Sequence, residues 1–118
     1  MPSTAEIAQE FAALCKQGKH DEAAARFWAD DIVSIEQMDG PMARLEGRAA
    51  IAAKGEWWVA NHEVHAMETE GPYVNGDQFA LHFAMDVTPK ETGERMQMRE
   101  VGLYTVRNGK VVEERFFY

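Results

Sequence analysis

The chain of 118 residues is long enough for one domain, and its hydrophobic and charged contents of 46% and 27% are ordinary for a soluble globular protein. Its net charge of -8 and the lack of a lysine or arginine cluster argue against nucleic acid or an anionic membrane as a partner. No apolar run approaches the roughly 20 residues that span a bilayer, and the polar first residues do not resemble a secretory signal. The single cysteine, Cys15, is expected to be a buried thiol in a cytoplasmic protein.

The first third of the chain predicts two helices and a strand. A capping box at Ser3–Glu6 starts the first helix, and Gly18 ends it. A second, shorter helix starts at Asp21. The segment Ile32–Gln37 is rich in β-branched residues and predicts the first strand. The segment Met38–Glu46 contains a Gly-Pro pair and predicts a loop over the mouth of the fold.

The rest of the chain predicts one helix followed by four strands. Helical spacing of apolar residues covers Gly47–Asn61. Alternating or β-branched patterns predict strands at Val64–Glu70, Phe79–Val87, Met96–Val106 and Lys110–Tyr118. This order predicts a single α+β domain over residues 1–118, with helices packed on one face of a curved, mostly antiparallel sheet.

The last two strands meet at Asn108-Gly109, and two turns that suit this pair give different registers. A two-residue turn places Gly102 opposite Arg115, whereas a three-residue loop places Gly102 opposite Glu114. We favour the three-residue loop because it gathers apolar residues on one face, which is what fixes a strand register. That face would carry Met96, Met98, Gly102, Tyr104, Val106, Val112, Phe116 and Tyr118, and with them Glu100 and Glu114.

Three stretches resemble the SnoaL-like polyketide cyclases and the wider nuclear transport factor 2-like superfamily, which includes ketosteroid isomerase. They are Phe27–Asp31, Leu45–Ile51 and Val106–Val112. The resemblance implies a cone in which a strongly curved sheet wraps three helices and leaves a deep apolar pocket. It also implies a homodimer formed through the outer face of the sheet. Because the superfamily contains both enzymes and non-catalytic binders, the resemblance alone leaves the function open.

The catalytic positions of ketosteroid isomerase are only partly retained in this sequence. Its general-base aspartate falls at Glu36, so a carboxylate is kept. Its hydrogen-bond-donor tyrosine falls near Phe11, and the protonated aspartate of its oxyanion hole falls near Gly102. Since neither of these two residues has a side-chain donor, stabilisation of an enolate by that hole is impossible here. Ketosteroid isomerase activity is therefore not expected.

Acid/base chemistry is expected from Glu36, helped by His65, Glu100 or Glu114. Burial of a carboxylate in an apolar cone destabilises its charged form and raises its pKa toward neutrality, and histidine exchanges protons near neutral pH. The alternatives are that Glu36 is solvated at a strand end and that Glu114 belongs to a charge cluster on the outer face. The expected pocket wall consists of Trp58, His62, His82, Met98, Tyr104, Phe116 and Tyr118.

Two further patterns bear on cofactors and partners. His62 and His65 could chelate a metal, but the pair crosses a predicted helix end and no further ligand is evident, so we expect no metal and no organic cofactor. His82 and Asp86 share a strand face with two alanines, which would leave room for a ligand or for the sheet of a partner subunit.

The sequence therefore predicts a cofactor-independent acid/base enzyme of the isomerase, cyclase or lyase type. Its substrate would be a small, apolar molecule that is carbonyl-bearing or polyketide-like, bound in a deep pocket. The alternative is a non-catalytic module of the same fold that binds a small ligand or a second protein.

Overall fold

The computed structural model describes residues 2–118, and in this range it contains three helices and one six-stranded sheet. The helices are α1 (Thr4–Lys16), α2 (His20–Phe27) and α3 (Arg48–Asn61); the strands are β1 (Trp28–Ile35), β2 (Arg44–Glu46), β3 (His62–Asn75), β4 (Gln78–Pro89), β5 (Met96–Arg107) and β6 (Lys110–Phe117). The predicted α+β class is confirmed. None of the helices in the described range is long and apolar enough to cross a membrane.

Helix α1 begins at the predicted capping box. The Ser3 hydroxyl accepts from the Glu6 amide at 3.1 Å, and the Glu6 carboxylate accepts from the Ser3 amide at 3.3 Å. One face of α1 packs its apolar side chains on β3 and β4. Cys15 lies on that buried face, as expected, and burial is the main cause that raises its pKa to about 12.

The strand order β2-β1-β6-β5-β4-β3 brings the first long strand of the chain next to the last one. β1 and β6 run parallel, and every other neighbouring pair is antiparallel. One face of the sheet, the inner face, is covered by helices: α1 packs on β3 and β4, and α3 packs on β1, β2 and β3. The inner side chains of β4 are buried, namely Phe79, Leu81, Phe83, Met85 and Val87.

The hairpin between β5 and β6 turns through two residues. Asn108 and Gly109 take φ angles of 53° and 77°, and Val106 pairs with Val111. Such a turn needs positive φ at both central residues, which Asn-Gly tolerates, and its twist matches that of the flanking strands. The three-residue loop that the sequence favoured is therefore wrong.

A β-bulge beside this turn nevertheless produces the face that the loop was expected to produce. Val112 is an extra residue in β6, and beyond it Tyr104 pairs with Glu114 and Gly102 pairs with Phe116. The shared inner face thus carries Met96, Met98, Glu100, Gly102, Tyr104, Glu114 and Phe116. Val112 itself is displaced from this face, contrary to the expectation, and lines a concavity on the outer side.

Candidate active site

Three carboxylates from three parts of the chain converge on the inner face, where β1, β6 and β5 lie beside α3. Glu36 directly follows β1, Glu114 is on β6 and Glu100 is on β5. Lys54 of α3 and Ser34 of β1 lie among them. We call these five residues the acidic cluster. Because α3 packs mainly on β1, β2 and β3, the inner face of β5 and β6 is left partly uncovered at this end.

Four members of the acidic cluster form a continuous chain of hydrogen bonds. The Lys54 Nζ donates to Glu36 Oε1 at 3.0 Å and to Ser34 Oγ at 2.7 Å. Ser34 Oγ in turn donates to Glu114 Oε2 at 2.7 Å. Ser34 is fully buried and Glu114 nearly so, whereas the Lys54 and Glu36 side chains are 13% and 20% exposed. This series of hydrogen bonds therefore runs from the partly exposed Glu36 and Lys54 to the buried Glu114.

Glu100 is the carboxylate that this hydrogen-bonded chain does not include. Burial, followed by the nearby charges of Glu36 and Glu114, raises the pKa of Glu100 to about 7, although Lys54 acts in the opposite direction. Its side chain is half-buried rather than sealed from solvent. A half-buried carboxyl group with this pKa is available in both protonation states near neutral pH, which suits proton transfer.

Glu114 lies at the closed end of the cluster. Burial is the main cause that raises its pKa, and the hydrogen bond from Ser34 and the charge of Lys54 partly oppose this effect. Tyr104 lies opposite Glu114 in the hairpin, and burial raises the pKa of its phenol well above the usual value, so the phenol remains a neutral hydrogen-bond donor. Gly102 makes room for it, since a Cβ there would lie 2.8 Å from the Tyr104 hydroxyl.

Apolar and aromatic side chains surround the open end of the cluster. The ring of Phe116 lies below Lys54, with its centroid 5.6 Å from Nζ, and Met98 is half-buried on the neighbouring strand. Tyr118 is held at the rim by two hydrogen bonds between its backbone and the Gln37 side chain. Burial raises the pKa of its phenol, and Glu36 raises that pKa further.

The structure does not bring His65 or His82 to the acidic cluster. His65 is exposed, and its Nε2 lies 2.8 Å from the Thr88 hydroxyl. His82 alternates with the buried inner residues of β4, so it points to the outer face, where its Nδ1 lies 3.9 Å from Glu70. The proposed helper role of His65 and the placement of His82 in the pocket wall are therefore corrected.

Trp58 and His62 lie together at the junction of α3 and β3. Their rings stack with centroids 4.2 Å apart, and the His62 Nδ1 lies 2.8 Å from the Trp58 carbonyl oxygen. Both side chains are half-buried, and Trp58 packs against the edge of the hydrophobic core. Within residues 2–118, no three His, Cys, Asp or Glu side chains are grouped so that they could hold a metal ion.

Lys54 and Ser34 were not among the residues that the sequence singled out. Lys54 lies three residues after Ile51 and four before Trp58, so helical spacing alone would have placed it on their face of α3. Ser34 alternates with Ile32 in β1 and so shares its buried face. The signal was present, but a lysine on a helix is far more often solvated than buried.

Two open concavities in the described part of the chain lie outside the acidic cluster. One, of about 620 Å³, is on the outer side of β1 and β6 and includes Asp31, Arg107 and Lys110 in its lining. The other, of about 450 Å³, lies beside Lys16 and residues 67–70. Neither contains the cluster, whose contact with solvent is shown instead by the partial exposure of Glu36, Lys54 and Glu100.

Comparison with known proteins places the whole described chain in one family. The family described as "SnoaL-like domain" matches residues 2–118. A crystal structure from Mesorhizobium loti is 60% identical, with a TM-score of 0.97 and coverage of 99% of this chain and 100% of that chain. That protein is provisionally named a SnoaL-like polyketide cyclase and, in the same description, a carbohydrate phosphatase.

More distant structures show the same fold. A nuclear transport factor 2-like protein from Burkholderia thailandensis is 18% identical, with a TM-score of 0.83 and coverage of 99% of this chain and 91% of that chain. A protein from Bacillus subtilis, provisionally named an isomerase, is 19% identical, with a TM-score of 0.71 and coverage of 96% and 84%. No curated protein matches the chain with significance. The chain belongs to the SnoaL-like domain family and has the nuclear transport factor 2-like fold.

Proposed function

We propose that this protein is a cofactor-independent acid/base enzyme of the isomerase, cyclase or lyase type. Its substrate would be a small, mostly apolar molecule with a carbonyl group. The observation that carries the proposal is the meeting of three carboxylates at the partly open end of an otherwise apolar inner face. The name given to the Mesorhizobium loti relative supports the same class of reaction.

Glu100 is the best candidate for the group that moves the proton. Glu36 is engaged by Lys54 at 3.0 Å, and Glu114 is engaged by Ser34 at 2.7 Å. Glu100 is thus the carboxylate left free for a substrate, and its pKa of about 7 lies near the working pH of an efficient general base. The role that the sequence assigned first to Glu36 is therefore transferred to Glu100.

The surroundings of Glu100 favour a neutral substrate with an apolar body. Met98 and Phe116 offer apolar surface next to it, and a carbonyl compound does not add another negative charge to the cluster. A phosphate ester is a poor fit, because it would bring its own negative charge to three carboxylates and the Lys54 ammonium group, whereas a carbonyl compound becomes negative only as Glu100 takes up a proton and loses its own charge. We therefore do not extend the phosphatase part of the relative's name to this chain.

The proposal is tested by proton exchange at the carbon next to a carbonyl. A panel of small ketones and 1,3-diketones is incubated with the protein in D₂O at pH 7, and loss of the α-proton signal is followed by NMR. The native protein should accelerate exchange for at least one probe, and Glu100→Gln should lower that rate roughly 100-fold or more, the usual contribution of a general base. Undiminished exchange by Glu100→Gln would overturn the assignment.

Glu113→Gln is the matched control, because Glu113 neighbours Glu114 in β6 but lies on the other face, opposite Thr105. This variant should exchange protons at the native rate. The non-catalytic alternative is favoured by one observation, namely that the Lys54, Glu36, Ser34 and Glu114 side chains are already hydrogen-bonded to one another. It would be supported if a probe raised the melting temperature without any exchange above the buffer rate.

A further inference from the structure

We infer that Lys54 is the group that stabilises negative charge on the carbonyl oxygen of the substrate. The inference rests on the proposed function and narrows its substrate to a carbonyl compound that reacts through an enolate. Lys54 would bind the oxygen, and Glu100 would handle the proton.

The contacts of Lys54 leave it one hydrogen bond to offer. An ammonium group has three N–H bonds, and two are used by Ser34 Oγ at 2.7 Å and Glu36 Oε1 at 3.0 Å. These two acceptors fix the position of the nitrogen, which also lies over the Phe116 ring. The side chain is 13% exposed, so the nitrogen is mostly shielded from solvent without being sealed from it. A donor held in this way needs little reorganisation when charge develops beside it.

The position of Lys54 relative to Glu100 suits the reaction. Lys54 lies over the Phe116 ring, and Phe116 pairs with Gly102, two residues from Glu100 on the same inner face, so one small molecule could contact both groups. The Glu100 carboxylate would take the α-proton; the C–H bond breaks and its electron pair forms the C=C bond of the enolate. The carbonyl π electrons move to oxygen, where the negative charge meets the ammonium. Return of the proton from Glu100 to another carbon of the enolate would complete an isomerisation. In a cyclisation the enolate carbon would attack a second carbonyl of the same molecule, and the alkoxide formed there would take the proton back from Glu100.

Other donors for this oxygen are scarce on the inner face. Phe11 and Gly102 have no side-chain donor, and Ser34 already donates to Glu114. Tyr104 retains its proton, but it is buried and leans over Gly102, deeper in the face. Lys54 is the cationic member of the acidic cluster, and its 13% exposure distinguishes it from a solvated helix lysine.

The test measures binding of an enolate mimic and does not require turnover. 4-Nitrophenol is titrated with protein at a series of pH values, and its absorbance gives the ratio of anion to neutral form in the bound state. The native protein should bind the anion in preference, so that the bound phenol ionises at a lower pH than the free phenol. Lys54→Met should lower the bound ratio of anion to neutral form at least about tenfold, since it removes the charged donor. Lys54→Arg should retain most of the preference.

Controls separate this inference from structural effects. Lys90→Met removes an exposed lysine and should leave the bound ratio unchanged. If Lys54→Met does not fold, Lys54→Gln, which keeps a neutral donor, provides the same comparison. If the bound ratio of 4-nitrophenol anion to neutral form is unchanged in Lys54→Met or Lys54→Gln, the role of Lys54 is overturned. This holds whatever Glu100→Gln does to proton exchange. Conversely, a lost anion preference together with normal exchange by Glu100→Gln would refute the proton-transfer role and keep the anion site.

Discussion

At the scale of single residues, Ser34 explains how a carboxylate can lie at the closed end of the inner face. A buried carboxyl group without partners costs several kcal/mol, and a hydrogen-bonded one costs much less. The parallel pairing of β1 with β6 sets Ser34 directly beside Glu114, and the Ser34 hydroxyl both accepts from Lys54 and donates to Glu114. One small side chain thus connects the only lysine of α3 to the buried acid.

The raised pKa of Glu100 makes stability depend on pH in a definite direction. Its ordinary value is 4.5 and its value in the fold is about 7. Between these values the unfolded chain loses the proton while the folded chain keeps it, so the free energy of unfolding falls as the pH rises. Below this window the carboxyl is protonated in both states, and above it the folded chain carries the full cost of the buried charge. Glu114, whose pKa is also raised, adds an effect of the same sign.

We expect Glu100→Gln to flatten this dependence. The amide cannot ionise, so the variant should lose less stability than the native protein between pH 5 and pH 8 and should be the more stable of the two at pH 8. Urea unfolding at four pH values measures the difference. Glu91→Gln, at an exposed turn position, should follow the native curve. Parallel curves for the native protein and Glu100→Gln would show that the carboxyl is not destabilised in the fold.

At the scale of elements, two glycines in contrasting surroundings test the packing of the hairpin and of α3. A Cβ on Gly102 would lie 2.8 Å from the Tyr104 hydroxyl and 3.0 Å from two of its ring atoms, whereas a Cβ on Gly55 would meet nothing within 4 Å. Gly102→Ala should therefore destabilise the protein by about 1–3 kcal/mol through overpacking. Gly55→Ala should stabilise it by about 0.5–1 kcal/mol, because alanine loses less backbone entropy in a helix.

Equilibrium urea unfolding measures both changes in the free energy of unfolding. The double variant Gly102→Ala/Tyr104→Phe should recover part of the loss, since it removes the closest of the three contacts. A Gly102→Ala variant as stable as the native protein would mean that Tyr104 moves aside without cost, and the close fit at the bottom of the inner face would not constrain the phenol.

The sequence predicted the elements well where one periodicity runs without interruption. The capping box identified the start of α1 and the alternation identified β4, because each signal depends only on neighbours along the chain. β3 was expected to end at Glu70, yet it continues to Asn75 through a bulge. A bulge lets a strand continue past an irregular residue because the strand pairs with its neighbour on both sides of it. The pattern of one sequence does not contain this pairing.

The candidate site could be predicted only in part for the same reason. Glu100 and Glu114 were placed on one face through a turn that the structure does not have, and the bulge at Val112 produces that face instead. Glu36 followed from the family resemblance. Lys54 acquires its place from the packing of α3 against β1, which is a tertiary contact. His82 was assigned to the pocket although it alternates with the large apolar residues of β4, which places it on the opposite, outer face.

At the scale of the whole molecule, the outer face of the sheet carries apolar side chains that none of the helices in residues 2–118 covers. Val101 and Leu103 are half-buried there, and Phe117, opposite Val101, is 45% exposed. An apolar strip of this kind favours association. We therefore propose that the protein forms a homodimer through the outer face of β4, β5 and β6.

Sedimentation equilibrium at micromolar concentration should give twice the mass of one chain. Leu103→Glu should shift the protein to the monomer, because it places a charge in the middle of the proposed interface. Gln9→Glu is the control, since it adds the same charge at an exposed position of α1, away from the outer face of the sheet. A native protein that sediments as a monomer would contradict the proposal, and so would a Leu103→Glu variant that keeps the native mass.

Because of the bulge at Val112, β6 has one residue more than regular pairing requires between the turn and Glu114. Loss of a single codon among positions 111–113 could be absorbed by straightening the strand, and Glu114 would still point inward. Loss of a codon just after Glu114 cannot be absorbed in this way, because no bulge follows it in residues 115–118. Every later side chain would move to the opposite face of the sheet, so that Phe117 would take the inner position of Phe116. Descendants of this gene should therefore tolerate shortening before the buried acid far better than after it.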